Sequence, residues 1–275
     1  MLFGISVLDI RLAFSTMGNF YVDDTIQTKG GFVLGAVVYS KNDLTPAVFD
    51  AIKAAGLRPG IDEFKSGAHM QSRPERQRLR DLLKETIQRV GVGVVVAPYS
   101  RRADLGEEVL VGLKKFIIAN KMAAKPHEIF LDEGIECSQA SLDAFTGDGD
   151  ALLRVHRNQD SRVIGGIQIA DLAAHSMGIM LLEHQGLTTK KVKAGENSGY
   201  DPDLEVEIGF EMWATLRYTF LKAPQPNPGS IPDDPVGDLI FNVKDYGLHV
   251  AASSNDELRN AAVERFGECY LGCIH

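Results

Sequence analysis

Apolar residues fall along this chain in two kinds of block, short β-branched runs and longer stretches with helical spacing, and the alternation predicts its elements. Asn19 to Asp23 (NFYVD) reads as a strand ending in an acid, and Thr28 to Gly31 (TKGG) supplies turn chemistry behind it. Phe32 to Tyr39 (FVLGAVVY) is a second strand, close enough to pair with the first as a hairpin. Asp43 to Ala55 is spaced as a helix and closed by Gly56 and Pro59, while 60–70 has no period and reads as an ordered loop. Pro74 opens a helix running to about Arg89, with Leu79, Leu82, Leu83, Ile87 and Val90 on one face and Gly91 at its end. The uniform run Gly93 to Ala97 predicts a strand buried on both faces. Then follow a helix over 105–122, a strand over 128–132 (EIFLD), a short helix over 138–146, a strand over 151–156 and a long helix from Ser161 to about His184.

With 43–90 set aside as a helical insertion after the second strand, three strands are followed by helix and strand in alternation. That order predicts a mixed five-stranded α/β sheet, antiparallel at first and then parallel through right-handed crossovers, as in the ribonuclease H fold. The predicted domain spans 17–184, because Met17 stands just before the first convincing strand; residues 1–16 read as an extension of it. Residues 185–275 read as a C-terminal extension packed on the same domain. Within it, 210–221 is spaced as a helix, 223–235 as a Pro-rich linker, 239–243 as a strand and 256–271 as a terminal helix.

Composition adds limits. With 275 residues, 44% hydrophobic and 24% charged, the chain can bury a sizeable core. No apolar run reaches the roughly 18 residues a bilayer requires, so no membrane partner is expected. The apolar opening lacks a basic start and carries Asp9 and Arg11, which argues against a signal peptide. Three scattered cysteines, Cys137, Cys269 and Cys273, make no disulfide framework, so the expected location is cytoplasmic. The formal charge of −8 disfavours non-specific binding to long duplexes. It leaves a nucleic-acid enzyme open, because clustered carboxylates take their charge balance from cations. Basic residues concentrate over 73–80, at Arg101 and Arg102, and at Lys190, Lys191 and Lys193; such runs are ordinarily solvated faces.

The sharpest chemical signal lies in the last core helix. Val163 to Leu182 is apolar or small nearly all round, and Asp171 is the only acid in it. A lone buried carboxylate costs several kcal/mol unless a cation or good donors answer it. Gln168 and His175 lie one turn to either side, on the same face. Asp23 and Asp132 each follow a hydrophobic strand run, and in the predicted topology those strands are parallel neighbours. Three acids from two strand ends and one helix would form an oxygen cage suited to Mg²⁺ or Mn²⁺. Each has a plainer reading: a turn-forming aspartate for Asp23 and Asp132, a structural salt bridge for Asp171.

YVDD near the start, GGFVLGAVVYS, Glu63-Phe64-Lys65, FLDE, and GGIQIADLAAH together resemble a bacterial and phage family called domain of unknown function 3800, itself considered ribonuclease H-like. The resemblance spans roughly 19–184. It implies that Asp23, Glu63, Asp132 and Asp171 are the acidic set, with Lys65 and Gln168 beside them. Asp24 stands where that family more often has Glu, and Phe64 where it more often has Leu. On residue chemistry alone Glu63 is an ordinary surface acid in a loop, and Lys65 either meets a phosphate oxygen or pairs with Glu63.

Two functional readings follow. The first is a metal-dependent phosphodiesterase, in particular a nuclease acting on RNA or DNA. Two Mg²⁺ or Mn²⁺ ions would be held by Asp23, Glu63, Asp132 and Asp171, with Asp23 bridging them, Lys65 stabilising charge on the phosphate and Gln168 beside the substrate. The second is a non-catalytic metal- or partner-binding regulatory protein. A haloacid dehalogenase-type phosphatase would require a residue between Asp23 and Asp24, which are adjacent. Cys269, Cys273 and His275 make a poor zinc set, and HExxH, phosphate-loop, dinucleotide and GxSxG motifs are all missing. RNA against DNA, and the oligomeric state, are left open.

Overall fold

The computed structural model describes residues 17–67, 73–147, 152–194, 200–225 and 239–272. The expected extension 1–16 lies outside them, as do most of the Pro-rich linker and the Cys273 and His275 positions.

The chain forms β1 (Gly18–Gln27), β2 (Phe32–Ser40), α1 (Thr45–Ala54), α2 (Pro74–Ile87), β3 (Gly91–Pro98), α3 (Leu105–Ala119), β4 (His127–Asp132), α4 (Gln139–Thr146), β5 (Leu153–Gln159) and α5 (Gly166–His184). There follow β6 (Lys191–Lys193), β7 (Glu205–Glu207), α6 (Ile208–Leu216), β8 (Ala223–Pro224), β9 (Ile240–Asn242), β10 (Leu248–Val250), α7 (Asp256–Phe266) and β11 (Glu268–Tyr270). The sequence marks several boundaries directly: Pro46 and Pro74 sit in the first turns of α1 and α2, and the Asn255 side chain caps α7 by accepting from the Leu258 N–H at 2.9 Å. Gly31 closes the β1–β2 connection at φ +69°, a left-handed conformation that favours glycine.

The main sheet is mixed, in the order β10-β3-β2-β1-β4-β5. β1, β2 and β3 pair antiparallel, whereas β4 runs parallel to β1 and β5 parallel to β4. The expected count of five strands is corrected to six, because β10 from the C-terminal region pairs parallel with β3 and extends the sheet edge. A run of three residues carries too little periodicity to signal a strand; its partner decides it. β1 also continues past Asp23 to Gln27, paired with β2 throughout. Asp23 therefore does not end the strand. It ends the pairing of β1 with β4, whose last register pair is Val22 with Leu131.

Apolar side chains pack on both faces. Phe20, Val22, Ile129 and Leu131 point to the layer formed with α3 and α4. Tyr21 points the other way, into a larger core shared by α1, α2, α5, α6 and α7. The central helix α5 crosses β1 and β2 on that second face. Its approach requires glycine at 166, where a Cβ would overlap the Tyr21 ring. Among the described residues no helix is long and apolar enough to cross a membrane.

Candidate functional site

Strand alternation decides which acids meet. Side chains two apart share a sheet face, so Asp23 emerges beside Tyr21 and Asp132 beside Phe130. The Tyr21 and Phe130 rings stack at 5.4 Å on the α5 side of the sheet. Asp23 and Asp132 thus lie on the face that α5 covers, one position beyond the last β1–β4 pair. Asp24 points to the opposite face, where it lines a cavity of about 310 Å³ with Arg102 and Leu105. Asp171, on the covering helix, is buried with Asp23, at 7% and 6% exposure.

The loop carrying Glu63 is fastened to α5 by three side chains. Gln168 is fully buried; its Oε1 accepts from the Phe64 N–H at 2.7 Å and its Nε2 donates to the Ser161 carbonyl at 2.8 Å. Asp171 accepts from the Ser66 N–H at 3.0 Å and from the Ser66 hydroxyl at 2.5 Å. Phe64 plugs the loop into the core. Glu63 accepts a hydrogen bond from the Ser161 hydroxyl and pairs with Lys65 at 3.7 Å. The four acids and Lys65 are in this way gathered around one site. Gln168 is corrected from a substrate contact to a positioning residue, because both its polar atoms are buried against backbone.

Sequence reasoning did not single out Ser66, Ser161 or the Asp160–Arg162 pair, which is bidentate at 3.0 and 2.8 Å. Serines carry no pattern that distinguishes them. A hydroxyl facing Asp171 is visible only once the loop is folded over the helix. His175, one turn beyond Asp171, is half-buried, and its pKa is lowered by burial and then by Arg80 and Lys190.

The electrostatics are unbalanced towards negative charge. Burial, then Asp171 and Asp132, push the Asp23 carboxyl up to about 8. Asp132 is raised chiefly by burial, against the pull of Lys65, and Asp171 by burial against its two bonds from Ser66. Asp24 is raised by burial and by the same two aspartates. Burial lowers the Lys65 ammonium, but Glu63, Asp132, Asp23 and Asp171 outweigh it and raise its pKa. Each member therefore answers the others' charge.

The donor chemistry fits a hard cation, since oxygen ligands dominate and, among the described residues, Asp23 receives only the Asp24 N–H at 2.7 Å. The expected preformed cage is nevertheless absent. Among the described residues no three His, Cys, Asp or Glu side chains stand close enough together to hold an ion. Asp171 is turned onto Ser66 and Glu63 onto Ser161, so binding an ion would draw both away from their hydroxyl partners. Comparison with family models, with curated proteins and with solved structures gave no significant match.

Proposed function

We propose that this chain is a divalent-metal-dependent phosphodiesterase, in particular a nuclease, built on a ribonuclease H-like frame. The strand order β3-β2-β1-β4-β5, antiparallel in its first half and parallel in its second, supports the frame, as does the resemblance to domain of unknown function 3800. The observation that carries the activity is the group of Asp23, Asp132 and Asp171, each holding its proton more tightly because of burial, and Asp23 also because of the other two. A protein gains nothing in stability from crowding three carboxylates out of water, so such a cluster points to a cationic ligand.

Mg²⁺ or Mn²⁺ would supply Lewis acidity there. Asp23, Asp132 and Asp171 would hold the cations, and Glu63, on the loop fastened over the site, would complete the set or orient the water. Lys65, half-exposed at the rim, meets the non-bridging phosphate oxygens and offsets charge that builds on them. Ser66, Ser161 and Gln168 set the loop's position over the strands.

The test pairs Mn²⁺ calorimetry with cleavage of labelled RNA and DNA strands. Asp23→Asn and Asp171→Asn should each lower Mn²⁺-dependent cleavage by about 100-fold or more, each decade being about 1.4 kcal/mol of transition-state stabilisation. Undiminished cleavage in both variants overturns the assignment. The second reading, a non-catalytic binding protein, is favoured by one feature: Asp171 is already satisfied by Ser66. Mn²⁺ binding without cleavage of any strand would select it.

A further inference from the structure

A second cavity, of about 470 Å³, opens at the far end of α5, beneath the β6–β7 hairpin and against α6 and α7. Its volume is within the roughly 300–1,000 Å³ of small-ligand sites. One wall is aromatic: Phe210 and Trp213 lie with ring centroids 5.9 Å apart, tilted by 32°. The Arg217 guanidinium packs on the Trp213 ring at 4.9 Å and stiffens it.

The polar lining is balanced in charge. Glu183 accepts from the Gly209 N–H at 2.7 Å, and Arg265 donates to the Gly209 carbonyl at 3.1 Å, so one peptide segment orients both. At the rim Lys191 and Glu207 are register partners across β6 and β7, and Thr189 adds a hydroxyl. Donors and acceptors of both charges beside an aromatic wall do not select a bare phosphate or a metal ion. They suit a flat, neutral group rich in hydrogen-bonding edges, and an unpaired nucleobase is such a group. Along α5 the cavity is twelve residues from Asp171, or about 18 Å at about 1.5 Å per residue.

We propose that this cavity is a base-binding subsite for single-stranded nucleic acid, taking one unpaired base of a strand whose backbone reaches the acidic site. The inference rests on the nuclease reading for its ligand. It explains how an acidic protein would hold a strand: by stacking, which is worth about 1–3 kcal/mol per base and does not depend on net positive charge.

Trp213 is the chain's only tryptophan, so the wild-type protein reports on its own pocket. Titrating it in EDTA with an oligouridine and an oligodeoxythymidine should quench the tryptophan emission to saturation. A fully paired duplex should compete at least about tenfold more weakly, in keeping with the cost of unstacking a base. Trp213→Ala should weaken binding of a labelled strand by about tenfold, the low end of the stacking energy. Unchanged emission at saturating strand, or equal competition by duplex, overturns the subsite. That wild-type measurement decides the matter even if the alanine variant folds poorly. The two readings separate cleanly: quenching that survives in Asp171→Asn while cleavage is lost supports both. Cleavage with no change in Trp213 emission sinks the subsite alone, whereas quenching without cleavage or Mn²⁺ binding sinks the nuclease alone.

Discussion

The two halves of α5 hold the same kind of residue in opposite circumstances. Near its start Asp171 faces Asp23 and Asp132, and the nearest cation, Lys65, is shared by four carboxylates. Near its end Glu183 accepts from a peptide N–H and faces the charge of the partly buried Arg265 guanidinium. Both acids are carried by one continuous helix, whose dipole favours an acid near its start and disfavours one in its last turn, so the dipole runs against the contrast and does not produce it. What differs is whether the surroundings complete the charge. The second acid is answered by a cation across the fold, whereas the first shares its one nearby cation with three other carboxylates.

The contrast is broken most forcefully through pH. Asp23 binds its proton up to about pH 8 in the folded chain and only to about 4 when unfolded, so the folded state is the more protonated one in between. Stability of the metal-free protein is therefore full below about pH 4 and falls as pH rises through 8, by on the order of 5 kcal/mol. Asp171, Asp132 and Asp24 oppose the ionisation and Lys65 favours it. Thermal melts from pH 5 to 8.5 should show this slope, Asp23→Asn should flatten it, and saturating Mn²⁺ should reverse it, because the ligands must ionise to bind. A flat profile in the wild type would mean that the three aspartates do not interact.

The other half of α5 should behave in the reverse sense. Glu183→Gln removes the charge facing Arg265 and should cost about 1–3 kcal/mol of stability, since it leaves a partly buried guanidinium less well answered. Denaturant titration checks this, and Mn²⁺ affinity should be unaffected. Were the variant instead to lose Mn²⁺ binding, the two ends of the helix would be one site.

Ser66→Ala should have the smallest effect on stability, within about 1 kcal/mol, and the most diagnostic effect on the ligand. Freed from the Ser66 hydroxyl, though still bonded to that residue's N–H, Asp171 should bind Mn²⁺ more tightly by calorimetry. Turnover should fall, because the loop carrying Glu63 and Lys65 is no longer anchored there. Weaker Mn²⁺ binding would show that Ser66 supports the ion and does not compete with it.

Much of the frame was legible in advance because burial leaves a periodic trace. The FVLGAVVY and GVVVA runs are strands buried on both faces, and the α5 run is apolar all round. Its interruption by Asp171 was visible for the same reason. Glu63 was not marked in this way: its place comes from bonds spanning 98 to 105 residues of sequence, and only the family resemblance pointed to it. Gln168 was noticed for its position but not for its task, since an amide that holds a loop and one that holds a substrate look alike in a string of letters. The beginning of α5 at Gly166, later than Ser161, and the join of β10 to β3 were likewise out of reach.

The sequence by itself determined the alternation of strands and helices, the apolar faces and the three aspartates set against them, because those are one-dimensional consequences of removing side chains from water. Only the tertiary structure decided that Asp23 and Asp132 share a face with Asp171, that Asp24 does not, and that a serine and a glutamine fasten the loop. Charges interact through space, and the distances that set their strength come into being only when segments a hundred residues apart are packed together.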